Sequence, residues 1–145
     1  MEDEQPAPGR RPRSRPADPR ALAAIFAGGM AGAAVRTGLS QVAPTAPGQW
    51  PWVTFAVNVA GCFLLGYFVT RLQERLPVTA YRRPFVGTGF CGALTTFSTF
   101  QVDLLKLLDH GAVGLAAAYG VASVAGGFAG MMLGTALVRR ARLTW

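Results

Sequence analysis

Histidine occurs once in this chain, at position 110, and cysteine twice, at Cys62 and Cys91. One histidine and two separated thiols give no metal-ligand spacing, and both cysteines fall in apolar runs, where they read as small buried hydrophobes. Acidic residues are scarce, seven in 145 positions, and none lies near the middle of an apolar run; Asp103 is the nearest. That argues against a proton-coupled exporter, which needs a carboxylate or histidine relay inside the membrane. No phosphate-binding loop, nucleophile elbow or metal triad occurs, so the reading is of a protein that is not an enzyme. The first 20 residues have no apolar core of the signal-peptide kind. They carry proline and arginine instead and read as a disordered leader.

Basic charge is plentiful but uneven. The formal net charge is +7, yet no basic face interleaves with aromatics, which leaves no nucleic-acid surface. Five arginines lie in the leader (Arg10, Arg11, Arg13, Arg15, Arg20), four between the second and third apolar runs (Arg71, Arg75, Arg82, Arg83) and three at the end (Arg139, Arg140, Arg142). Together these are twelve of the fourteen cations. The other two are Arg36 and Lys106. Cytoplasmic loops of membrane proteins accumulate lysine and arginine, so both termini are expected in the cytoplasm and the chain in the cell (inner or plasma) membrane, crossing it several times.

Hydrophobic residues make up 51% of the sequence, gathered into four runs long enough for a bilayer, which takes about 20 residues per helix. The runs extend over about Ala21–Ser40, Trp52–Thr70, Pro84–Leu108 and Ala112–Val138, separated by "APTAPGQWP", "RLPVTAYRRP" and "DHG". The expected organisation is an all-α membrane domain at 21–138 with a basic tail at 139–145. Gly28 and Gly32 form a small-residue ridge in the first run, and Gly126, Gly130 and Gly134 form one in the fourth. Such ridges let helix backbones approach in lipid, either within one subunit or at a seam between two.

The third run is the anomaly. Gly87, Gly89 and Gly92 precede "TTFSTF", which concentrates four hydroxyls in an uncharged, apolar setting. Glycine and threonine weaken helix, and a break in lipid survives only where its backbone groups are satisfied by protein or face a watery cavity. Freed carbonyls could hold Na+ or a similar cation; a kink satisfied by hydroxyls is the simpler alternative. Phe97 and Phe100, three apart, share a helix face, beside Thr95, Ser98 and Thr99. Ring edges are electropositive and could stabilise a small anion, though two phenylalanines at this spacing also suit an ordinary core. Asn58, mid-run in "FAVNVAGCFLLG", could donate to an anion or bond another helix. Tyr119 and Ser123 place hydroxyls on one face of the fourth run. Arg36 is either an interfacial snorkel or the edge of an anion-attracting vestibule.

"GFCGALTTFSTF", with "VNVAGCFLLG" before it, "YGVAS" after it and "GGMAGAAVR" in the first run, resembles the Fluc/CrcB family of fluoride channels over roughly residues 21 to 138. The resemblance implies four transmembrane helices with the third broken, paired as an antiparallel dimer with two pores that export fluoride passively. It implies a structural Na+ held by backbone carbonyls matching Gly92 and Thr95. It implies an anion pathway at Phe97, Phe100, Asn58, Tyr119 and Ser123, with Ser98 and Thr99 in the polar track and Arg36 near a vestibule. A small-multidrug-type exporter would need a carboxylate in the first run, which has none. A non-conducting subunit would tolerate Phe97→Ile and Phe100→Ile. The twelve-to-two charge bias departs from family members that insert both ways, so the expected partner is a second copy or an oppositely oriented paralogue, in the lipid bilayer.

Overall fold

The computed structural model describes residues 18–74 and 81–140. The expected leader up to position 17, Arg75 and the tail from 141 onward lie outside the described residues. Helix α1 is Pro19–Val42; Asp18 caps it, its side chain accepting from the Arg20 N–H at 2.9 Å, and Pro19 occupies the first turn, where a missing N–H costs nothing. Arg20 therefore begins a helix rather than ending the leader. Helix α2 is Trp52–Glu74. The third run divides: a π-helical segment at Pro84–Cys91, a single turn α3 at Gly92–Leu94, then α4 at Phe97–Asp109. Helix α5, Val113–Arg140, follows a turn at Gly111, whose φ of 71° suits glycine.

Helices α1, α2 and α5 are each long and apolar enough to cross a membrane, and no strand occurs among the described residues. Phe26, Phe128 and Leu133 are among the large apolar side chains exposed on them, as expected of helices solvated by lipid. The chain is an all-helical, multi-pass membrane protein. Helix α4, with 13 residues, is about 20 Å long and cannot cross the roughly 30 Å hydrocarbon layer alone.

Two glycine-lined seams hold the helices in parallel pairs. Along α1, a side chain at Gly28 would fall on the Phe85 carbonyl and one at Gly32 on the Phe90 carbonyl, while one at Gly89 would stand 2.5 Å from the Ile25 carbonyl. Along α5, a side chain at Gly130 would stand 2.9 Å from the Val59 carbonyl, and one at Gly134 would fall on that of Phe63. Both small-residue ridges are thus used within the subunit. Rising numbers pair with rising numbers in each seam, so α1 runs parallel to the π segment and α2 parallel to α5. Gly87 faces Val69, and Gly61 faces Thr95, so the two pairs run in opposite directions. Arg20, Arg71, Arg82, Arg83, Arg139 and Arg140 consequently gather at one end of the bundle.

Candidate functional site

The site begins with two residues that leave the helix. Thr95 has φ −74° and ψ 146°, and Thr96 has φ −144° and ψ 120°, both extended. The end of a helix orphans its last carbonyls, and the start of another orphans its first N–H groups. Local side chains meet most of these needs. Thr95 closes back on Cys91, both its N–H (3.1 Å) and its hydroxyl (2.9 Å) donating to that carbonyl. Thr96 caps α4, its Oγ1 accepting from the Thr99 N–H at 3.2 Å.

Asn58 on α2 supplies the rest. Its Nδ2 donates to the Thr96 carbonyl at 3.1 Å, and its Oδ1 accepts the Thr96 N–H at 2.8 Å. One amide thus satisfies both backbone groups of an extended residue, and its second N–H remains for another acceptor. On the other side of the break, the Arg36 Nε donates to the Ala93 carbonyl at 3.2 Å. Arg36 is half-buried; it neither snorkels freely nor lines the groove described below. After these bonds, no donor reaches the carbonyls of Gly92 or Thr95 among the described residues. These are hard, uncharged oxygens, chemically suited to a monovalent cation.

Beside the break lies an open groove of about 410 Å³, whose walls include Asn58, Thr95, Thr96, Phe97, Phe100 and Ser123. Cys62, Val124, Gly127, Phe128 and Met131 complete a lining that is mostly apolar, with the amide and hydroxyls as its polar minority. The Phe97 and Phe100 rings are 5.9 Å apart and tilted by 33°. Phe97 is 72% exposed, whereas Phe100 is half-buried and packs 5.3 Å from the Tyr119 ring. Ser98 and Thr99 join through the Thr96 hydroxyl, at 3.2 and 3.1 Å, and do not themselves line the groove.

Behind Phe100 the structure holds a group of polar atoms without partners. Tyr119 is fully buried with the Ser123 and Thr54 hydroxyls as polar neighbours, and among the described residues no hydrogen bond of normal geometry reaches its hydroxyl, the Ser123 Oγ, the Asp103 Oδ2 or the Trp50 Nε1. The Trp50 ring stands edge-on to Tyr119 at 5.5 Å, and Asp103 lies within electrostatic reach of the Tyr119 hydroxyl. Buried polar atoms in native proteins almost always find partners, and the hydroxyls that face Tyr119 are those of Ser123 and Thr54. Sequence reasoning brought Tyr119 and Ser123 here and missed Asp103 and Trp50. The signal for Asp103 was available: it lies three residues after Phe100, hence on the same helical face. Sequence reasoning also gave Thr96 no role beyond weakening the helix, although threonine directly before a helical run is a favoured N-cap residue.

Residues 23–135 match the model of the CrcB-like protein, Camphor Resistance (CrcB) family. A protein of Mycobacterium bovis named fluoride-specific ion channel FluC 1 is 57% identical over 126 residues, covering 87% of this chain and 96% of its own; a Mycobacterium tuberculosis protein of the same name matches equally. A Nocardia farcinica protein named fluoride-specific ion channel FluC 2 is 43% identical over 133 residues, covering 92% of this chain and 93% of its own. With the family's model spanning the three long helices and the break, this chain belongs to the CrcB-like family.

Proposed function

We propose that the chain is a fluoride-selective channel subunit that lets fluoride leave the cytoplasm passively, working as half of an antiparallel two-pore dimer. The observation that carries this reading is the groove itself: Asn58, Thr95, Thr96, Phe97, Phe100 and Ser123 meet in one concavity with no charged side chain among them. The relatives' names point to the same ion.

The chemistry is coherent. Fluoride is small and strongly hydrated, so a path must replace its water with several donors. The spare Asn58 N–H, the Ser123 hydroxyl, the Tyr119 hydroxyl behind Phe100 and the positive ring edges of Phe97 and Phe100 supply them. A fixed cation would hold the ion, whereas dipoles bind it firmly enough to enter and weakly enough to leave. A membrane potential contributes about 2.3 kcal/mol per charge per 100 mV toward anion exit, so no coupled substrate is required.

The groove opens sideways, with exposed Phe97, Val124 and Phe128 at its margin. A lateral opening into lipid cannot conduct a hydrated anion, so a second subunit must close it. In this reading the halves Pro84–Leu94 and Phe97–Asp109 together form one interrupted third span. The open carbonyls of Gly92 and Thr95 hold a structural Na+, which would tie the two breaks together at the dimer centre. The basic end faces the cytoplasm. Because that bias is strong, the chain inserts one way, and an oppositely oriented paralogue completes the antiparallel pair.

The test is fluoride efflux from liposomes holding the purified chain alone or with the paralogue, read by a fluoride electrode with chloride as control. Rapid fluoride-selective efflux is expected from the pair. Efflux from the chain alone would replace the paralogue with a second copy, and none from either preparation would refute the channel.

A further inference from the structure

Gly28, Gly32 and Arg36 stand at i, i+4 and i+8, on one ridge of α1. The two glycines let that ridge touch the backbone of the π segment, and the contact ends with the Arg36 Nε on the Ala93 carbonyl at 3.2 Å. The glycines act as a close-approach track, and the guanidinium is what the track delivers to the end of α3. A helix C-terminus carries roughly half a negative charge on its unsatisfied carbonyls. Arg36 therefore places a permanent positive charge at the negative end of the first half-helix, one residue from the open Gly92 carbonyl and two from that of Thr95.

From this geometry we infer that Arg36 is a positioning residue that shares the negative end of α3 with the cation bound there, and that its charge sets how tightly that cation is held. The inference rests on the reading of Gly92 and Thr95 as a cation site. Arg36 holds one carbonyl directly and repels a monovalent cation from its neighbours. The site is thereby kept weak enough to need the full set of carbonyls that a completed dimer provides, and the break retains a stabilising charge when the cation is absent. Removing the charge should tighten the cation while leaving the break less stable without it. A residue that mattered only for packing would lower stability at every Na+ concentration alike.

The experiment is thermal unfolding of the purified full-length protein, in its assembled state, in Na+-free buffer titrated with Na+ or Li+. Arg36→Gln should lower the half-saturating Na+ concentration on the order of tenfold, because it removes the Coulomb repulsion of a like charge held at the neighbouring carbonyl. Arg36→Lys, which keeps the charge and loses the fork, should stay with the wild type. Should the glutamine variant not fold, Arg36→His provides both states in one protein: its half-saturating Na+ should fall as pH rises from about 5.5 to 8.5, with the wild type run alongside to remove the contribution of other groups. An unchanged or weakened Na+ response in Arg36→Gln, or a pH-independent one in Arg36→His, beside a normal wild-type response, would overturn the role of Arg36 alone. A wild-type protein indifferent to Na+ and Li+ would overturn both the cation site and this inference.

Discussion

Asn58 and Thr96 are joined by two hydrogen bonds of opposite sense, amide to carbonyl at 3.1 Å and backbone N–H to amide oxygen at 2.8 Å. The side chain in the middle of α2 thus acts as a surrogate backbone for a residue that has left its own helix. Asn58 also lines the groove, so one residue holds the break and borders the concavity beside it.

Replacing Asn58 probes both roles. Asn58→Ala orphans both Thr96 backbone groups. An average interhelical bond in a membrane is worth about 0.6 kcal/mol and an orphaned buried group costs about 1–3 kcal/mol, which puts the loss near 2 kcal/mol. Asn58→Asp keeps the acceptor for the Thr96 N–H but puts a carboxylate in the groove. Its second oxygen opposes the Thr96 carbonyl instead of donating to it, and a charge at membrane depth is costly, so its stability loss should equal or exceed that of alanine and its fluoride efflux should be the lower, by two orders of magnitude or more. Chemical denaturation in detergent and liposome efflux, measured on both variants, check both orders.

The two phenylalanines should also part company. Phe97 is 72% exposed, while Phe100 packs on Tyr119 and borders the small core of Leu107, Ala116 and Tyr119. Phe97→Ile should leave subunit stability within about 0.5 kcal/mol of the wild type. Phe100→Ile should cost on the order of 1 kcal/mol from lost aromatic contact. Both should cut fluoride efflux by orders of magnitude. An efflux loss in Phe100→Ile alone would mark Phe97 as a lipid- or partner-facing residue outside the path.

Much of this was legible beforehand, for identifiable reasons. Apolar runs of bilayer length fix α1, α2 and α5, because lipid admits few alternatives to a continuous helix. Their ends overrun expectation by two to four residues at several boundaries, as α2 does in reaching Glu74 rather than Thr70, since nothing in a charge-flanked helix stops it at the membrane surface. The π segment at Pro84–Cys91 left no mark in the sequence: its wide turn reflects the backbone contact with α1 at Gly28 and Gly32, a tertiary cause. Arg36 was ambiguous for the same reason. Its partner, a carbonyl 57 positions away, is invisible to spacing arguments. Asn58 read as either a donor to an anion or a helix-to-helix bond; the structure gives it the second and leaves an N–H over for the first.

Adjacent glycines offer a sharp test of the α1 seam. A side chain at Gly28 would collide with the Phe85 carbonyl, whereas one at Gly29 meets nothing within 4 Å. Gly28→Ala should destabilise the fold by about 1–3 kcal/mol, as overpacking does. Gly29→Ala should be neutral or stabilising by up to about 1 kcal/mol, the helix propensity gained. Equal effects in the two variants, measured by denaturation in detergent, would mean that α1 does not lie against the π segment along this ridge.

The parallel pairing of helices turns a charge count into an orientation. Because α1 runs with the π segment and α2 with α5, arginines from four separate stretches of sequence converge on one end, Arg20 and Arg82 from helix beginnings, Arg71 and Arg140 from helix ends. The opposite half has Arg36 on α1 and Lys106 on α4, with Asp109 near Lys106 in sequence. Lysine and arginine near span ends resist translocation, and short loops add their effects, so six described arginines at one end should give a single orientation. A C-terminal fluorescent protein, which matures only in the cytoplasm, should be bright, and a C-terminal alkaline phosphatase, active only outside, should be silent. Replacing Arg71, Arg75, Arg82, Arg83, Arg139, Arg140 and Arg142 by glutamine should yield a mixed population, because the remaining bias is carried by the N-terminal segment alone. If the unmodified chain already gave signal from both reporters, it would supply both halves of an antiparallel pair itself, and no paralogue would be required. If only the cytoplasmic reporter responds, an antiparallel dimer demands a partner whose charges lie at the other end.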